Sequence, residues 1–299
     1  MKPTLRLIIL FQIVFALLTF TQTFAQALTA MQVRERAIGI EWVKPGLRGN
    51  SNAGTLASSL FLSISQPLQA FNIVAEIPFA YVSNAPNLNP NNIMENNEGT
   101  PYVGRDFGYS DSSGGATTIG NIFLGINTRK QQNATYVETG LRIPFATLFE
   151  DGKGQATALG IFSDFVERVE AFAPEYLSAI VMVHKHKSQE GKFSYHGEGG
   201  LSILLPIRDV EINPELYLRY GFQVVQDKKD FSVEAGLKGR ILMSRNPDFF
   251  QDQTVHQFSA RANFKRGKFI PGLYFSRPFD NNLKNVINWT FGASLTVKA

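Results

Sequence analysis

The chain has 299 residues, of which 44% are hydrophobic and 18% charged, and its formal net charge is +4. It contains no cysteine, which excludes disulfide bonds, a lipid-anchoring cysteine and thiolate metal sites. The charge falls to +2 when the two basic residues of the N-terminal signal described next are left out, and so small an excess gives no reason to expect a nucleic-acid partner.

The N-terminus has the order of a secretory signal. Lys2 and Arg6 precede an apolar run over residues 7–18, and small residues follow at Ala25 and Ala27. We predict a cleaved signal peptide over residues 1–25, with cleavage as late as residue 27, and then a short periplasmic segment over residues 26–37. Beyond the signal, no stretch approaches the roughly 20 consecutive apolar residues that a membrane-spanning helix needs. A helical membrane protein is therefore excluded.

The rest of the chain alternates polar and apolar residues with a period of two. Around residue 218, for example, Glu215, Arg219 and Gln223 have one parity, and Leu218 and Phe222 have the other. Each alternating segment has about the length of a strand that crosses a bilayer at a tilt. Twelve strands are predicted, over residues 38–44, 55–65, 70–82, 117–129, 134–146, 177–187, 193–205, 211–225, 231–243, 255–264, 269–277 and 285–297. The pattern predicts an all-β fold, a transmembrane antiparallel up-and-down barrel of about twelve strands over residues 38–299.

The connections between these strands differ in length in a regular way. Every second one is a short polar turn, over residues 66–69, 130–133, 188–192, 227–230 and 265–268. We expect these turns to face the periplasm, and the other set to include long extracellular loops at 83–116 and 147–176. The first long loop could fold inward as a constriction. In the second, Phe165, Val169 and Phe172 have helical spacing, and a short helix, an irregular loop and an additional strand remain as alternatives.

In each strand, the alternate residues that are more apolar are predicted to face lipid, and the more polar ones are predicted to face the lumen. A Lys or Arg at the bilayer midplane would cost about 2 to 4 kcal/mol on the lipid side. The predicted lumen-lining residues are Glu138, Arg142, Glu198, Glu215, Arg219, Glu234, Lys238, Arg240 and Arg261. Both signs are present. These side chains could form ion pairs that brace the wall or partly fill the bore, or they could create a field that biases which solutes enter.

The chain has four histidines, so few residues are candidates for catalysis or for binding a metal. His184 and His186 share one strand face and could hold a metal, but no third imidazole or carboxylate stands near them in the sequence, so a basic interfacial edge is the preferred interpretation. His196 is followed by Glu198 and, further along the same face, by Ser202, and a hydrolase would need the Ser and His within hydrogen-bond reach. We assign no catalytic residue, no cofactor and no metal site.

Two consecutive predicted strands carry a family resemblance. The segments T-T-I-G-N-I-F-L-G-I-N-T-R (residues 117–129) and T-Y-V-E-T-G-L-R-I-P-F-A (residues 135–146) resemble the outer-membrane barrels of the phenol-degradation pathway (MetA-pathway) protein family. The resemblance covers one hairpin closely and the strand layout loosely. It implies a transport barrel for small, often hydrophobic compounds, and it brings no diagnostic catalytic residue.

These observations predict a protein of the Gram-negative outer membrane that acts as a passive channel or uptake pore for small solutes. A closed structural or surface-interaction barrel and an outer-membrane lipid-modifying enzyme are the alternatives, because a fold alone does not determine function. Outer-membrane lipid and lipopolysaccharide, the barrel-assembly machinery and a small solute are the expected partners.

Overall fold

The computed structural model describes residues 36–47, 56–83, 115–128, 134–146, 153–187, 191–207, 214–244, 254–284 and 287–298. The predicted signal peptide and residues 84–114 of the first long loop lie outside this part of the chain. The described strands are β1 (Ala37–Leu47), β2 (Leu56–Pro67), β3 (Asn72–Ser83), β4 (Ala116–Ile119), β5 (Ile122–Asn127), β6 (Ala134–Ile143), β7 (Tyr176–Lys187), β8 (Phe193–Pro206), β9 (Glu215–Asp227), β10 (Phe231–Leu242), β11 (Thr254–Phe264), β12 (Phe269–Pro278) and β13 (Ile287–Lys298).

The strands form one antiparallel sheet that closes on itself. From β6 to β13 each strand pairs with the next in the chain, β13 pairs with β1, and β1, β2 and β3 follow in order. The consecutive strands β4 and β5 both pair with β3 and occupy one position in the wall. The result is the predicted closed barrel of twelve wall positions. Closure lets backbone N–H and C=O groups find partners where lipid offers none.

The interruption between β4 and β5 falls at Gly120 and Asn121. The Asn121 amide leaves the ladder and donates to the Ala171 carbonyl oxygen at 2.6 Å, while the Gly120 amide donates to Pro78 O at 2.8 Å. A Cβ atom on residue 120 would lie 2.8 Å from the ring of Phe172, closer than side chains pack. The strand breaks here because another part of the chain approaches it from inside the barrel.

That part of the chain is helical and follows β6. It comprises α1 (Lys153–Ser163), α2 (Phe165–Arg168) and a 3-10 turn (Val169–Ala171). We call residues 153–175 the lumen segment, and between residues 156 and 175 almost every described residue is buried. The helical alternative predicted from the sequence is confirmed, but the segment folds back into the barrel. A further short helix, α3 (Asn281–Lys284), precedes β13. No helix in the described ranges is long and apolar enough to cross a membrane.

The two ends of the barrel differ as predicted. Short turns connect β2 to β3, β7 to β8, β9 to β10 and β11 to β12 at what we call the short-turn end. Gly191 and Gly267 adopt φ of 76° and 60° there, a left-handed conformation that glycine adopts without strain. The lumen segment joins its strands at the opposite end, which we call the long-loop end.

The wall has an apolar outer face and a polar inner face. Outward side chains such as Leu124, Leu141, Phe145 and Leu273 are about half exposed, as expected of a lipid-facing surface. Inside, an apolar cluster that includes Phe61, Leu159, Phe172 and Tyr217 packs the lumen segment against the wall. The remaining interior is mostly polar and charged, and Arg142 and Arg240 are among its largest fully buried side chains.

Candidate functional site

The nine predicted lumen-lining side chains all lie inside the barrel. Eight of these residues are 5% exposed or less, and the side chain of the ninth, Glu198, is 5% exposed, so these side chains are buried like those in the core of a soluble protein. Their role toward a solute stays a prediction. Four of them contact charged groups through the network described next: Arg142, Glu198, Lys238 and Arg261. Arg240 binds the lumen segment directly.

Arg168 of the lumen segment is the centre of the network. Its Nη1 lies 3.0 Å from Glu41 Oε2 on β1 and 3.3 Å from Glu76 Oε2 on β3, and its Nε pairs with Asp164 one helical turn earlier. The guanidinium carbon also lies 3.7 Å from the centroid of the Phe61 ring on β2. Burying one cation requires this many partners because an unpaired charge in a low-dielectric interior is strongly disfavoured.

The pKa values of two buried acids of the segment shift in opposite directions. Burial raises the pKa of Asp164 to about 6, against the attraction of Arg168. Burial also acts to raise the pKa of Glu170, but the charges of Arg240 and Arg219 outweigh it and lower that pKa to about 2. Glu170 is therefore firmly ionised at neutral pH, whereas Asp164 accepts a proton in mild acid.

Arg240 on β10 binds Glu170 with both terminal nitrogens. Its Nη1 lies 2.8 Å from Oε1 and its Nη2 lies 3.2 Å from Oε2, while Nε donates to the Val166 carbonyl at 3.2 Å. This two-pronged geometry is the strongest form of a carboxylate–guanidinium contact. It ties the lumen segment to the wall opposite β2 and β3.

Lys238, also on β10, joins the segment to a second acid of the wall. Its Nζ lies 3.1 Å from Glu167 Oε1 and 3.4 Å from Glu198 Oε1. The Tyr274 hydroxyl donates to the same Glu167 oxygen at 3.3 Å, and Arg261 Nη2 lies 3.3 Å from Glu41 Oε1. Each of the acids and bases at positions 164, 167, 168 and 170 thus has an ionic partner.

Asn121 fastens the segment by its backbone. Its Nδ2 donates to the carbonyls of Glu170 and Ala173, at 3.0 and 2.5 Å, and its Oδ1 accepts from the amides of Phe145 and Ala146 at 2.9 and 3.0 Å. No role for Asn121 was predicted from the sequence. The Gly-Asn dipeptide inside a strand pattern was the available signal, since it favours an interruption.

The other predicted lumen residues are Glu138, Glu215, Arg219 and Glu234, and of these Arg219 acts on Glu170 through its charge. Glu215 accepts a hydrogen bond from the Tyr217 hydroxyl at 2.7 Å on its own strand, and Glu234 Oε2 lies 4.0 Å from His196 Nδ1. Glu138 and Arg219 are buried on β6 and β9. The structure does not gather all nine residues into one ring.

Two of the four histidines, His184 and His186, are not where the sequence suggested. His184 and His186 are 1% and 4% exposed inside the barrel, so the prediction of a basic interfacial edge is wrong. The β7–β8 register pairs His184 with Glu198 and His186 with His196. A third imidazole and a carboxylate therefore do stand beside the first two histidines, brought there by the neighbouring strand.

A serine–histidine pair does not form on β8. His196 and Ser202 are six residues apart on one strand, which separates their backbones by about 20 Å. The outer face of the wall has its own polar chain, in which Tyr220 Oη lies 2.5 Å from His256 Nε2 and His256 Nδ1 lies 3.1 Å from Asp280 Oδ1. It links β9, β11 and the turn after β12 near the long-loop end.

No protein-family model matches the sequence, and the comparison with curated proteins gives no match. Several solved structures share the fold. The COG4313 outer membrane channel from Pseudomonas putida F1 is 13% identical with a TM-score of 0.51, over 88% of this chain and 95% of that one. The translocator domain of the autotransporter NalP from Neisseria meningitidis is 10% identical with a TM-score of 0.52, over 89% and 90%. LpxR from Salmonella typhimurium is 13% identical with a TM-score of 0.50, over 88% and 100%.

At these identities the similarity concerns the fold alone. Three outer-membrane barrels nevertheless match nearly the whole described architecture, which agrees with an apolar belt outside and a polar interior. The predicted resemblance to outer-membrane channels is confirmed at the level of the fold. The chain is an antiparallel β-barrel of the Gram-negative outer membrane, and its barrel resembles that of an outer-membrane channel.

Proposed function

We propose that the protein is an outer-membrane channel for small solutes and that the lumen segment controls passage through it. The observation that carries the proposal is the way the interior is filled. A separate stretch of chain occupies the lumen and holds the wall through ion pairs, the Asn121 hydrogen bonds and an apolar cluster, whereas the wall strands hold one another through the backbone ladder. Because the ladder closes through the wall strands, we infer that the segment can leave while the barrel stays closed.

The nature of these contacts supports reversible docking. When water enters the lumen, hydration replaces the partners of the ion pairs, and this offsets part of the cost of exposing the apolar cluster around Phe172. Arg168, Glu167 and Glu170 would each regain hydration as the segment moved out. The polar wall left behind would form a bore lined by both signs of charge, as expected for small polar solutes.

A closed structural or surface-interaction barrel is the second candidate. It is favoured by the completeness of the ionic pairing at positions 164, 167, 168 and 170, which is also what a permanent filling would show. The two functions differ in one respect. A channel conducts when the segment has left the lumen. A structural barrel has no functional state in which the segment is undocked.

Planar-bilayer conductance of purified protein tests the proposal. The wild type is compared with a variant in which a short Gly-Ser linker replaces residues 153–175, a replacement that the adjacent ends of β6 and β7 allow. We expect brief, small openings in the wild type and a steady current in the variant. Arg277→Ala, which removes an exposed arginine on the outer face, is the matched control and keeps wild-type currents.

The fold is checked by a gel shift between boiled and unboiled samples, because closed barrels resist detergent until heated. If both proteins are folded and inserted yet neither passes current or releases dye from liposomes, the channel function is refuted and the structural barrel is supported. Passage of small dyes and retention of large ones would define the size of the solute.

A further inference from the structure

A cluster of imidazoles and carboxylates occupies the lumen near the short-turn end. His184 and His186 lie on β7, and His196 and Glu198 lie on β8, all on the inner face. The three histidines are 1%, 4% and 3% exposed. The lumen segment contributes no atom to this group, so the cluster belongs to the wall itself.

Three donor atoms of the cluster converge on one point. His184 Nδ1 lies 3.1 Å from His196 Nε2 and 3.7 Å from Glu198 Oε2, and the latter two atoms are 3.9 Å apart. The point equidistant from these three atoms lies about 2.1 Å from each of them, which matches the roughly 2.0–2.2 Å of Zn²⁺–N and Zn²⁺–O bonds. Three side chains thus already have the separations that one shared ion requires.

We propose that His184, His196 and Glu198 bind one divalent transition-metal ion of the Zn²⁺ class. Two imidazoles and one carboxylate suit Zn²⁺ and its neighbours Cu²⁺ and Ni²⁺, whereas Mg²⁺ and Ca²⁺ prefer all-oxygen sites. Three protein ligands leave a fourth position of a tetrahedral ion for water. The absence of cysteine from the chain restricts the ligands to nitrogen and oxygen.

The surroundings orient these ligands. The ring of Tyr136 stacks on His184 with centroids 4.9 Å apart and planes 10° apart. The second nitrogen of His196, Nδ1, lies 4.0 Å from Glu234 Oε2, so a carboxylate stands on the side from which an outer-shell acceptor commonly supports a metal-bound imidazole, although it would have to move closer to accept a hydrogen bond. Lys238 lies beside Glu198 Oε1, at 3.4 Å.

Binding would replace the hydrogen bond between the two imidazoles. That bond holds one proton between His184 Nδ1 and His196 Nε2, and an ion bound to both nitrogens would shift it to the other nitrogen of the ring that carried it, so both rings stay neutral. In acid, protons compete with the ion for the ligating nitrogens. Affinity must therefore fall as the pH falls. This site is independent of the proposed channel function, since the ion would bind the wall whether or not the lumen segment is docked.

Calorimetric titration of tag-free, folded protein in detergent with ZnCl₂ tests the site. We expect one ion per chain. His184→Ala and His196→Ala should each weaken binding at least about 100-fold, exceeding the 10- to 100-fold effects typical of outer-shell changes, and Glu198→Gln about 10-fold. His256→Ala is the matched control, because it removes the one histidine outside the cluster and should leave the affinity unchanged.

Absorption of the Co²⁺-loaded wild type gives a readout that needs no variant. Intense visible bands indicate a four-coordinate ion, whereas weak bands like those of the aqueous ion would contradict the site. The proposal is also overturned if the wild type binds no stoichiometric Zn²⁺, or if a folded His184→Ala/His196→Ala protein binds it as tightly as the wild type.

Discussion

The two halves of the lumen are built in different ways. In the long-loop half, the charges of the wall face a separate segment, and Arg168, Glu167 and Glu170 supply the opposite partners. In the short-turn half, the histidine cluster finds its partners within the wall, on β6, β7, β8 and β10. If the proposals above are correct, the first half loses its contents without loss of the barrel, while the second persists as long as the strands do. The comparison then distinguishes a proposed gate from a proposed fixed binding site.

Lys238 marks the boundary between the two halves. It lies between Glu167 of the segment and Glu198 of the cluster, at 3.1 and 3.4 Å. Movement of the segment would leave Lys238 with Glu198 as its remaining partner. Lys238 thus joins the two halves through one side chain, and we expect the halves to be separable by mutation.

The largest expected effect comes from removing the first half altogether. Replacement of residues 153–175 by the linker should raise conductance severalfold and leave the Zn²⁺ stoichiometry at one, because none of the proposed ligands lies in the segment. Conductance and calorimetry on the same preparation measure both. Loss of Zn²⁺ binding in a folded variant would show that the halves are one unit.

A smaller effect is expected from one contact of the segment. Arg240→Ala leaves the Glu170 carboxylate buried without its two-pronged partner, and breaking such a pair costs about 3–5 kcal/mol. Since the penalty applies to the docked state, openings should become more frequent and longer in single-channel records. Arg277→Ala serves as control. Unchanged opening in Arg240→Ala would mean that this pair does not hold the segment.

The smallest expected effect is a dependence on pH. Because burial raises the pKa of Asp164 to about 6 in the docked state, from an ordinary value of 3.8, docking is favoured as the pH falls and loses this contribution as the pH rises through 6. Openings should therefore be rarer at pH 5 than at pH 7.5. The Glu170 contribution is present throughout that window, because its pKa is about 2 when docked and 4.5 ordinarily.

Asp164→Asn isolates the contribution of that carboxyl from the others nearby. Arg168, Glu167 and Glu41 are the charged groups that act on its pKa, and the histidine cluster contains further titratable groups of the lumen. The variant should lose most of the pH dependence. An equally steep dependence in Asp164→Asn would assign it to the histidines.

The sequence was sufficient for the wall, because alternation is a property of neighbouring residues. It placed Glu138, Arg142 and Arg240 on the inner face and predicted twelve strands. It was insufficient for the contents of the lumen, since Arg168 meets Glu41 across 127 positions in the chain. No local pattern indicates such a meeting.

The histidine cluster is intermediate in how far the sequence predicts it. The short turn after β7 sets the hairpin register, and that register alone brings His196 beside His186 and Glu198 beside His184. The two strands and their turn had been predicted, so counting back from the turn would have found the third imidazole. The break at Gly120, in contrast, depends on Phe172 and follows only from the docked segment.

A reversible lock tests most directly whether movement of the lumen segment controls passage. Ser59 on β2 and Ser163 at the end of α1 have their Oγ atoms 2.7 Å apart, and the chain has no cysteine of its own. In the double variant Ser59→Cys/Ser163→Cys a disulfide can form across this contact. We expect the oxidised protein to conduct no more than bare lipid and dithiothreitol to restore wild-type openings. Equal currents before and after reduction, with the disulfide verified by mass spectrometry, would contradict the account.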